Sequence, residues 1–522
     1  MGAAPGRTDY SAPRLHERRL RAEKAGPTGK IRRQMRSSHL HGVDVRLVGL
    51  SLVLVVLSGC VGDASPTPAA SASASASAGQ DRRQGASLVV TGGVVLTVDD
   101  ARRVLTPGAV AIQGTEIVAV GTPAEIGDRY RGAETIDATG QIVLPGLINT
   151  HTHAAMVLYR GLGNDLNLQD WLTRYIFPAE ARTLSPEFVR AGTRLAALEM
   201  ILGGTTTFVD MYYFEEEVAA VTREAGLRGV LGQTVIQFPV ADAKTPEEAL
   251  TRAAAFITAY RGDPLITPAV APHSMYTLQA GTLQAADRLA RAQQVPLLIH
   301  LAETRKEGQD ALAAHRQSPT AYLAGLGLLG PHVLGAHGVW LDAADIRTVA
   351  AAGAGIAHNP ESNMKLASGT APVPALLAAG VHVGLGTDGA ASNNDLDMFE
   401  AMRQAAFLHK VTSGDPTVLP APLALEMATR GGAASIGMAD RIGQLTPGRR
   451  ADLIIVDARQ PHLQPLYDPI AALVYAAKGS DVRTTIVNGR VLMHERAVRT
   501  LKPAAVLADA QKMAERVRAA VR

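Results

Sequence analysis

Two histidines one residue apart, His151 and His153, follow the run Gln141-Ile-Val-Leu-Pro-Gly-Leu-Ile-Asn-Thr150. On an extended strand, residues i and i+2 face the same side, so both imidazoles can reach one ion. Neutral imidazole is the commonest protein ligand for zinc and similar metals. Alone the pair is a weak signal. It gains weight downstream, where His300, His337 and Asp388 each close a short apolar run. Three imidazoles and one carboxylate suit a single borderline-hard divalent ion with a position left for water. Glu303, three residues past His300, can approach that water without ligating. Such an ion lowers the pKa of its water from 15.7 toward about 7, and a carboxylate beside it can move the protons. The chemistry in view is hydrolysis.

These side chains need a scaffold that gathers strand ends. Eight short apolar runs, at 147–149, 206–210, 230–235, 266–270, 295–300, 333–337, 354–358 and 381–388, alternate with stretches of helical spacing such as 186–202, 246–259 and 279–293. This predicts an α/β fold, a (β/α)8 TIM-type barrel over residues 146–439, with the chemistry at the C-terminal ends of its strands. An open doubly wound sheet would require a Gly-rich phosphate turn after its first strand, and none is present. Residues 87–145 read as short β-runs broken by Gly92-Gly93 and Gln113-Gly114. The same pattern returns at 452–457 and 484–489, so 87–145 and 440–500 are expected to form one small composite β-sandwich. Residues 501–522 read as a solvated helix.

The N-terminus has a different character. Residues 1–46 hold 11 Lys and Arg against 4 Asp and Glu, a net +7, leaving −4 for the rest of a chain whose total is +3. That balance leaves no basic surface for nucleic acid outside the first segment. The apolar run 47–57 behind this basic segment has signal-peptide length. It ends in Leu57-Ser58-Gly59-Cys60, which contains the only cysteine and resembles a bacterial lipobox. Residues 1–59 are thus expected to be a lipoprotein signal peptide, with Met35 as an alternative start. Cys60 is the expected lipidation site, and the Ala/Ser-rich residues 60–86 a flexible tether. The expected location is the outer face of the bacterial cell membrane. A homo-oligomer is left open.

The segments His151-Thr-His153-Ala-Ala-Met, Trp171, Glu180, His300-Leu-Ala-Glu303, Ala336-His337-Gly338, His358-Asn-Pro-Glu-Ser-Asn363 and Gly386-Thr-Asp388-Gly-Ala-Ala-Ser-Asn393 together resemble the amidohydrolase superfamily. They look most like its branch of methylthioadenosine/S-adenosylhomocysteine deaminases and triazine chlorohydrolases, over about residues 87–500. The resemblance implies metal ligation by His151, His153, His300 and Asp388, with zinc as the ion and ferrous iron as the alternative. It implies Glu303 as proton shuttle, His337 and Asp388 as further catalytic groups, and Trp171, Glu180, His273, Glu303 and His337 against the substrate. The implied reaction is hydrolytic deamination of an adenosine-like or other amino-substituted nitrogen heterocycle, with ammonia leaving. Loss of a halide or alkylamine from such a ring, or cyclic-amide hydrolysis, is the alternative. A purine-binding lipoprotein without turnover would need a broken donor or shuttle set, and none is broken.

Some superfamily members hold two metals on a carboxylated lysine after strand four. The run Ile266-Thr-Pro-Ala-Val-Ala-Pro-His273 offers no lysine, which points to one ion. The family's nucleoside deaminases place arginines after strand three. Here 233–244 has none, which argues against an S-adenosylhomocysteine tail being held there. His358 is either a loop anchor or a substrate group, and Trp171 could merely pad the rim. His382 reads as structural. His315, His332, His409 and His462 read as surface.

Overall fold

The computed structural model describes residues 83–521. The expected leader and Cys60 lie outside the described residues, as does nearly all of the tether. Among the described residues no helix is long and apolar enough to cross a membrane.

The first flank supplies five strands: β1 (Gln84–Leu96), β2 (Val104–Gln113), β3 (Glu116–Gly121), β4 (Tyr130–Asp137) and β5 (Gln141–Pro145). Eight strands follow: β6 (Leu147–Thr152), β7 (Thr205–Tyr212), β8 (Arg228–Val235), β9 (Ile266–Pro272), β10 (Leu297–Leu301), β11 (Val333–His337), β12 (Gly355–His358) and β13 (Val383–Leu385). The second flank adds β14 (Leu453–Asp457), β15 (Val482–Val487), β16 (Arg490–His494) and β17 (Ala497–Val498).

β6 to β13 form one parallel sheet in sequential order, with helices in the connections. This is the expected eight-stranded barrel, and each of the eight apolar runs supplies one strand. Its strands are almost wholly buried, as strands covered on both faces must be. Alternate residues such as Ile148, Val209, Val230, Leu298 and Leu334 share one core with Ile436 and Ile442. The ends of the barrel meet without a ladder between β13 and β6. Instead the Asp388 amide donates to the His151 carbonyl at 2.9 Å. Asn149 Nδ2 also donates to Thr387 Oγ1 at 2.7 Å, and the Thr387 amide donates to Asn149 Oδ1 at 3.1 Å. Gly386 permits this approach: a Cβ there would stand 2.3 Å from Asn359 Oδ1 and 2.9 Å from the His151 nitrogen.

The two flanks join in a single nine-stranded sheet, where β5 pairs antiparallel with β14. Along β14 the period of two is plain. Leu453 and Ile455 enter a core shared with Leu88, Val90 and Ile112 of the first flank. Ile454 and Val456 turn the other way, into the large core around the barrel. One buried ion pair also ties the two parts: Arg228 at the start of β8 reaches Asp452 with Nε–Oδ2 3.0 Å and Nη2–Oδ1 3.2 Å. Losing either partner would strand the other as an unpaired buried charge.

The tail corrects an expectation. Helix Pro503–Val521 is not merely solvated, because Val506, Ala510, Met513 and Val517 are buried at helical spacing. Each such Val or Met contributes about 1.5–3 kcal/mol of burial. Its outer face carries Lys512 and Arg516, both paired with Glu187.

Candidate active site

The C-terminal ends of the barrel strands converge on the expected residues. His151 lies in β6 and His153 just beyond it. Thr152 and Ala154 bracket His153, and the Thr152 hydroxyl and Ala154 amide both donate to Asp210 Oδ1 at 2.6 Å. That carboxylate pins the turn which brings His153 in. The β6–β7 register shifts between Asn149 and Thr152, so the simple alternation counted from Ile148 does not hold at His151. His300 needs no such shift, since it follows Leu298 by two residues.

Backbone carbonyls set two of the rings. His153 Nδ1 lies 2.7 Å from the Met211 oxygen and His300 Nδ1 2.8 Å from the His273 oxygen. Each Nδ1 must carry the proton to donate, so each Nε2 is a bare lone pair. Yet these two Nε2 atoms face each other at 3.4 Å. His151 Nε2 is buried without a hydrogen-bond partner. It stands 3.4 Å from Asp388 Oδ1, and His153 Nε2 stands 3.3 Å from the same oxygen. Lone pairs converging with no proton between them repel one another unless a cation lies among them. Ligands about 2.0–2.1 Å from one tetrahedral ion stand about 3.3 Å apart, matching these separations. The donors fall into two groups that share His151, one with His153 and His300, the other with His337 and Asp388. The residues present therefore fit a divalent ion.

The protonation states agree with that fit. Burial pushes His151 down to about 4 and His300 well below its usual range, so both are neutral near pH 7. The His151–Asp388 contact is therefore not an ordinary ion pair. For Asp388, burial raises the carboxyl, but the surrounding imidazoles of His151, His153 and His337 prevail and hold it well below the usual carboxylate range. Its oxygens are oriented by the Gly389 amide at 2.7 Å, Ser362 Oγ at 2.6 Å and Ser392 Oγ at 2.9 Å. Asp388 and His337 both hold positive φ, 64° and 75°. Such backbone is uncommon away from glycine and concentrates at functional sites.

Glu303 is buried, and its carboxyl has no hydrogen-bond partner among the described residues. Its Oε2 lies 3.9 Å from His337 Nε2. Burial first, then the charge of Asp388, pushes it well above the usual range. His337 Nδ1 is 2.9 Å from Asn363 Oδ1. Glu303, His337, Asp388, His153, His300, His273, Trp171 and Glu180 all line one cleft. Burial raises Glu180 to about 7, and the Tyr212 hydroxyl donates to its Oε1 at 2.6 Å. His273 is held near Ser274 Oγ and Thr277 Oγ1, at 3.2 and 3.3 Å. Trp171 donates its Nε1–H to the Leu162 oxygen at 3.1 Å and presents its ring to the cleft. β9 carries no lysine.

Other histidines depart from expectation. His358 does not line the cleft. Ala357 belongs to the barrel-interior core, so His358 faces outward, where its Nε2 meets His409 Nε2 at 3.2 Å. His409 is therefore buried rather than on the surface. His332 is half-buried, whereas His462 is exposed as expected; each has its Nε2 2.8 Å from a carboxylate, Asp287 and Asp481. His315 is exposed, and so is His382, just before β13. Sequence reasoning missed Tyr212, Ser362, Asn363 and Ser392 as supporting groups. The latter three lie inside the motifs already singled out, and that proximity was the available signal.

A barrel with imidazole and carboxylate donors at its strand ends, and a free carboxyl beside them, defines a metal-dependent hydrolase. The Amidohydrolase family profile matches residues 142–492, and the chain belongs to that family. It is 49% identical over 416 residues to the 5-methylthioadenosine/S-adenosylhomocysteine deaminase of Syntrophobacter fumaroxidans, covering 80% of this chain and 95% of that one. Among solved structures it resembles an adenosine deaminase from Xanthomonas campestris with bound zinc, at 39% identity and TM-score 0.82, over 84% of this chain and 100% of that one. It also resembles a zinc-complexed atrazine chlorohydrolase from Arthrobacter aurescens TC1, at 25% identity and TM-score 0.77, over 82% of this chain and 100% of that one. The chain is thus a hydrolase acting on carbon–nitrogen bonds with a divalent metal, zinc in the two solved structures.

Proposed function

We propose that this chain deaminates an adenosine-like nucleoside or a related amino-substituted heterocycle, releasing ammonia. The observation that carries this reading is Glu303, a buried carboxyl without a partner, 3.9 Å from His337 and beside the donor cluster. Its similarity to an adenosine deaminase and to a 5-methylthioadenosine/S-adenosylhomocysteine deaminase supports it.

In this reading His151, His153, His300 and Asp388 hold the ion. When bound, the ion supplies Lewis acidity that makes water nucleophilic near neutral pH. Glu303 accepts one proton from the attacking water and gives it to the ring nitrogen beside the carbon under attack. Asp388 takes the second proton and passes it to the departing amino group, which leaves as ammonia. His337 Nε2 lies close to Glu303 and accepts a hydrogen bond from the attacking water, holding it in place. Glu180, held by Tyr212, offers its carboxyl to substrate hydroxyls. Trp171 and His273 confine the ring, so that the reacting atoms are aligned before reaction.

In the same reading residues 1–59 are a removable leader and Cys60 carries the lipid. Residues 60–86 then tether the enzyme to the outer face of the cell membrane. The support is the basic segment, the apolar run 47–57 and the Ala/Ser stretch.

The test is a panel of adenosine, 5′-substituted adenosines, an amino-triazine and a chloro-triazine, offered to zinc-loaded protein. Ammonia release from the nucleosides is expected. Chloride release from the chloro-triazine with no ammonia from any nucleoside would overturn the reading.

A further inference from the structure

The carboxylate that pins the His153 turn has a second acid against it. Asp210, in β7, and Glu215, which opens helix Glu215–Ala225, are both fully buried. Each has one oxygen accounted for. Asp210 Oδ1 accepts from the Thr152 hydroxyl and the Ala154 amide, and Glu215 Oε1 accepts from the Tyr212 amide at 2.8 Å. The other two oxygens, Asp210 Oδ2 and Glu215 Oε2, are buried and receive no donor among the described residues. Yet the two side chains lie within hydrogen-bonding reach of each other. Two carboxylates cannot satisfy one another, because neither has a proton to donate. One proton between them does, and it also removes a buried like-charge repulsion.

The surroundings decide which acid carries that proton. Glu215 faces Asp210, Glu216 and Asp242, all acidic, so burial and then Asp210 push its carboxyl well above the usual range. The Arg252 guanidinium does not relieve this, being engaged with Glu216 at 2.6 Å and Asp242 at 3.6 Å. Burial raises Asp210 as well, but hydrogen bonds from Thr152, Ala154 and Glu215 all work to lower it. The proton belongs on Glu215, and Asp210 keeps the charge.

We propose that Glu215 is a positioning residue for the metal centre, a neutral carboxylic acid whose O–H donates to Asp210 Oδ2. It thereby fixes the carboxylate that holds Thr152 and Ala154 on either side of His153. The role rests on His153 being a metal ligand. Without this donor Asp210 can turn, and the His153 lone pair no longer stands among the other donors.

Infrared spectra of metal-free protein near pH 7, wild type against Glu215→Gln, test the proton. Their difference should contain the carbonyl band of a protonated carboxyl, shifted in D2O and present only in the wild type. A difference spectrum without that band would overturn the proposal. Zinc affinity tests the role. Glutamine can accept from Tyr212 and donate to Asp210 in the same way, so Glu215→Gln should hold zinc as tightly as the wild type. Glu215→Leu strands Asp210 Oδ2 and should weaken zinc by about 10–100-fold, the usual loss for a partner that orients a ligand. A leucine variant that binds zinc like the wild type would overturn the positioning role. So would a glutamine variant that binds it as weakly as the leucine one. Should Glu215→Leu fail to fold, the infrared band and the glutamine variant still decide. Wild-type protein without zinc affinity would overturn the ligand reading of His153 and this role together, while the infrared result would stand apart.

Discussion

His337 donates its Nδ1–H to Asn363 Oδ1 across 2.9 Å, and that bond decides which ring nitrogen faces Glu303. With the proton on Nδ1, the Nε2 lone pair points toward the Glu303 carboxyl 3.9 Å away. Asn363→Ala should release the tautomer and the ring orientation. Loss of such an orienting partner typically costs about 10–100-fold in activity. The expected result is a fall of that size in kcat with unchanged metal content, read by steady-state kinetics and elemental analysis of one preparation. An unaltered kcat would remove Asn363 from the site.

Glu303→Gln keeps the size of the side chain and cannot carry a proton back and forth. Turnover should drop by about 10²-fold or more. Zinc should remain, because His151, His153, His300 and Asp388 are untouched. If zinc is lost along with turnover, Glu303 is a ligand and the proton transfers belong elsewhere.

The donor set has room for one ion, and β9 brings no bridging lysine. Protein purified without chelators should hold about one equivalent of divalent metal, by the ligand count of a single site. Chelation should abolish activity, and zinc alone should restore it. Two equivalents lost in step with activity would show a binuclear centre.

The His358–His409 contact makes stability depend on acidity. Burial pushes His409 down to about 4 from its ordinary 6.5 and His358 well below. The unfolded chain therefore binds protons first as pH falls below 6.5. The stability from a neutral His409 is full above that value and is lost as pH drops toward 4. Between pH 7 and 5 the loss is about 2 kcal/mol from this residue, at about 1.4 kcal/mol per pH unit. Urea midpoints at the two pH values should diverge less in His409→Gln than in wild type. Parallel behaviour of the two proteins would contradict the assignment.

The anchoring reading turns on Cys60. Cells expressing the full chain should incorporate a fatty-acid probe into it, and the protein should partition with membranes. Cys60→Ala should lose the label. Equal labelling of both chains would sink the lipid assignment.

The barrel was legible because its strands are buried on both faces and so appear as unbroken apolar runs between helical stretches. The histidines and Asp388 were legible because each terminates such a run. What escaped depends on facts a linear reading does not hold. Which face of β12 lines the barrel is set by Ala357, and only that parity turns His358 outward onto His409. The helix Pro503–Val521 looked solvated because its apolar stripe, Val506, Ala510, Met513 and Val517, is sparse among alanines and charged residues. Ser362 and Asn363 lie within motifs, yet their roles come from partners on other segments, Asp388 and His337, each 26 residues away.

Asn149 and Thr387, whose side chains bond where the barrel closes, are 238 residues apart in the chain. The amide of Asp388 is held by the carbonyl of His151 in that same join. Contacts of such long sequence separation form late, because their loop-closure entropy is lost before they stabilise anything. A chain cut before Asp388 lacks the carboxylate donor and the join that holds it beside His151. Completion of the donor set with Asp388 is thus tied to the meeting of the first and last barrel strands.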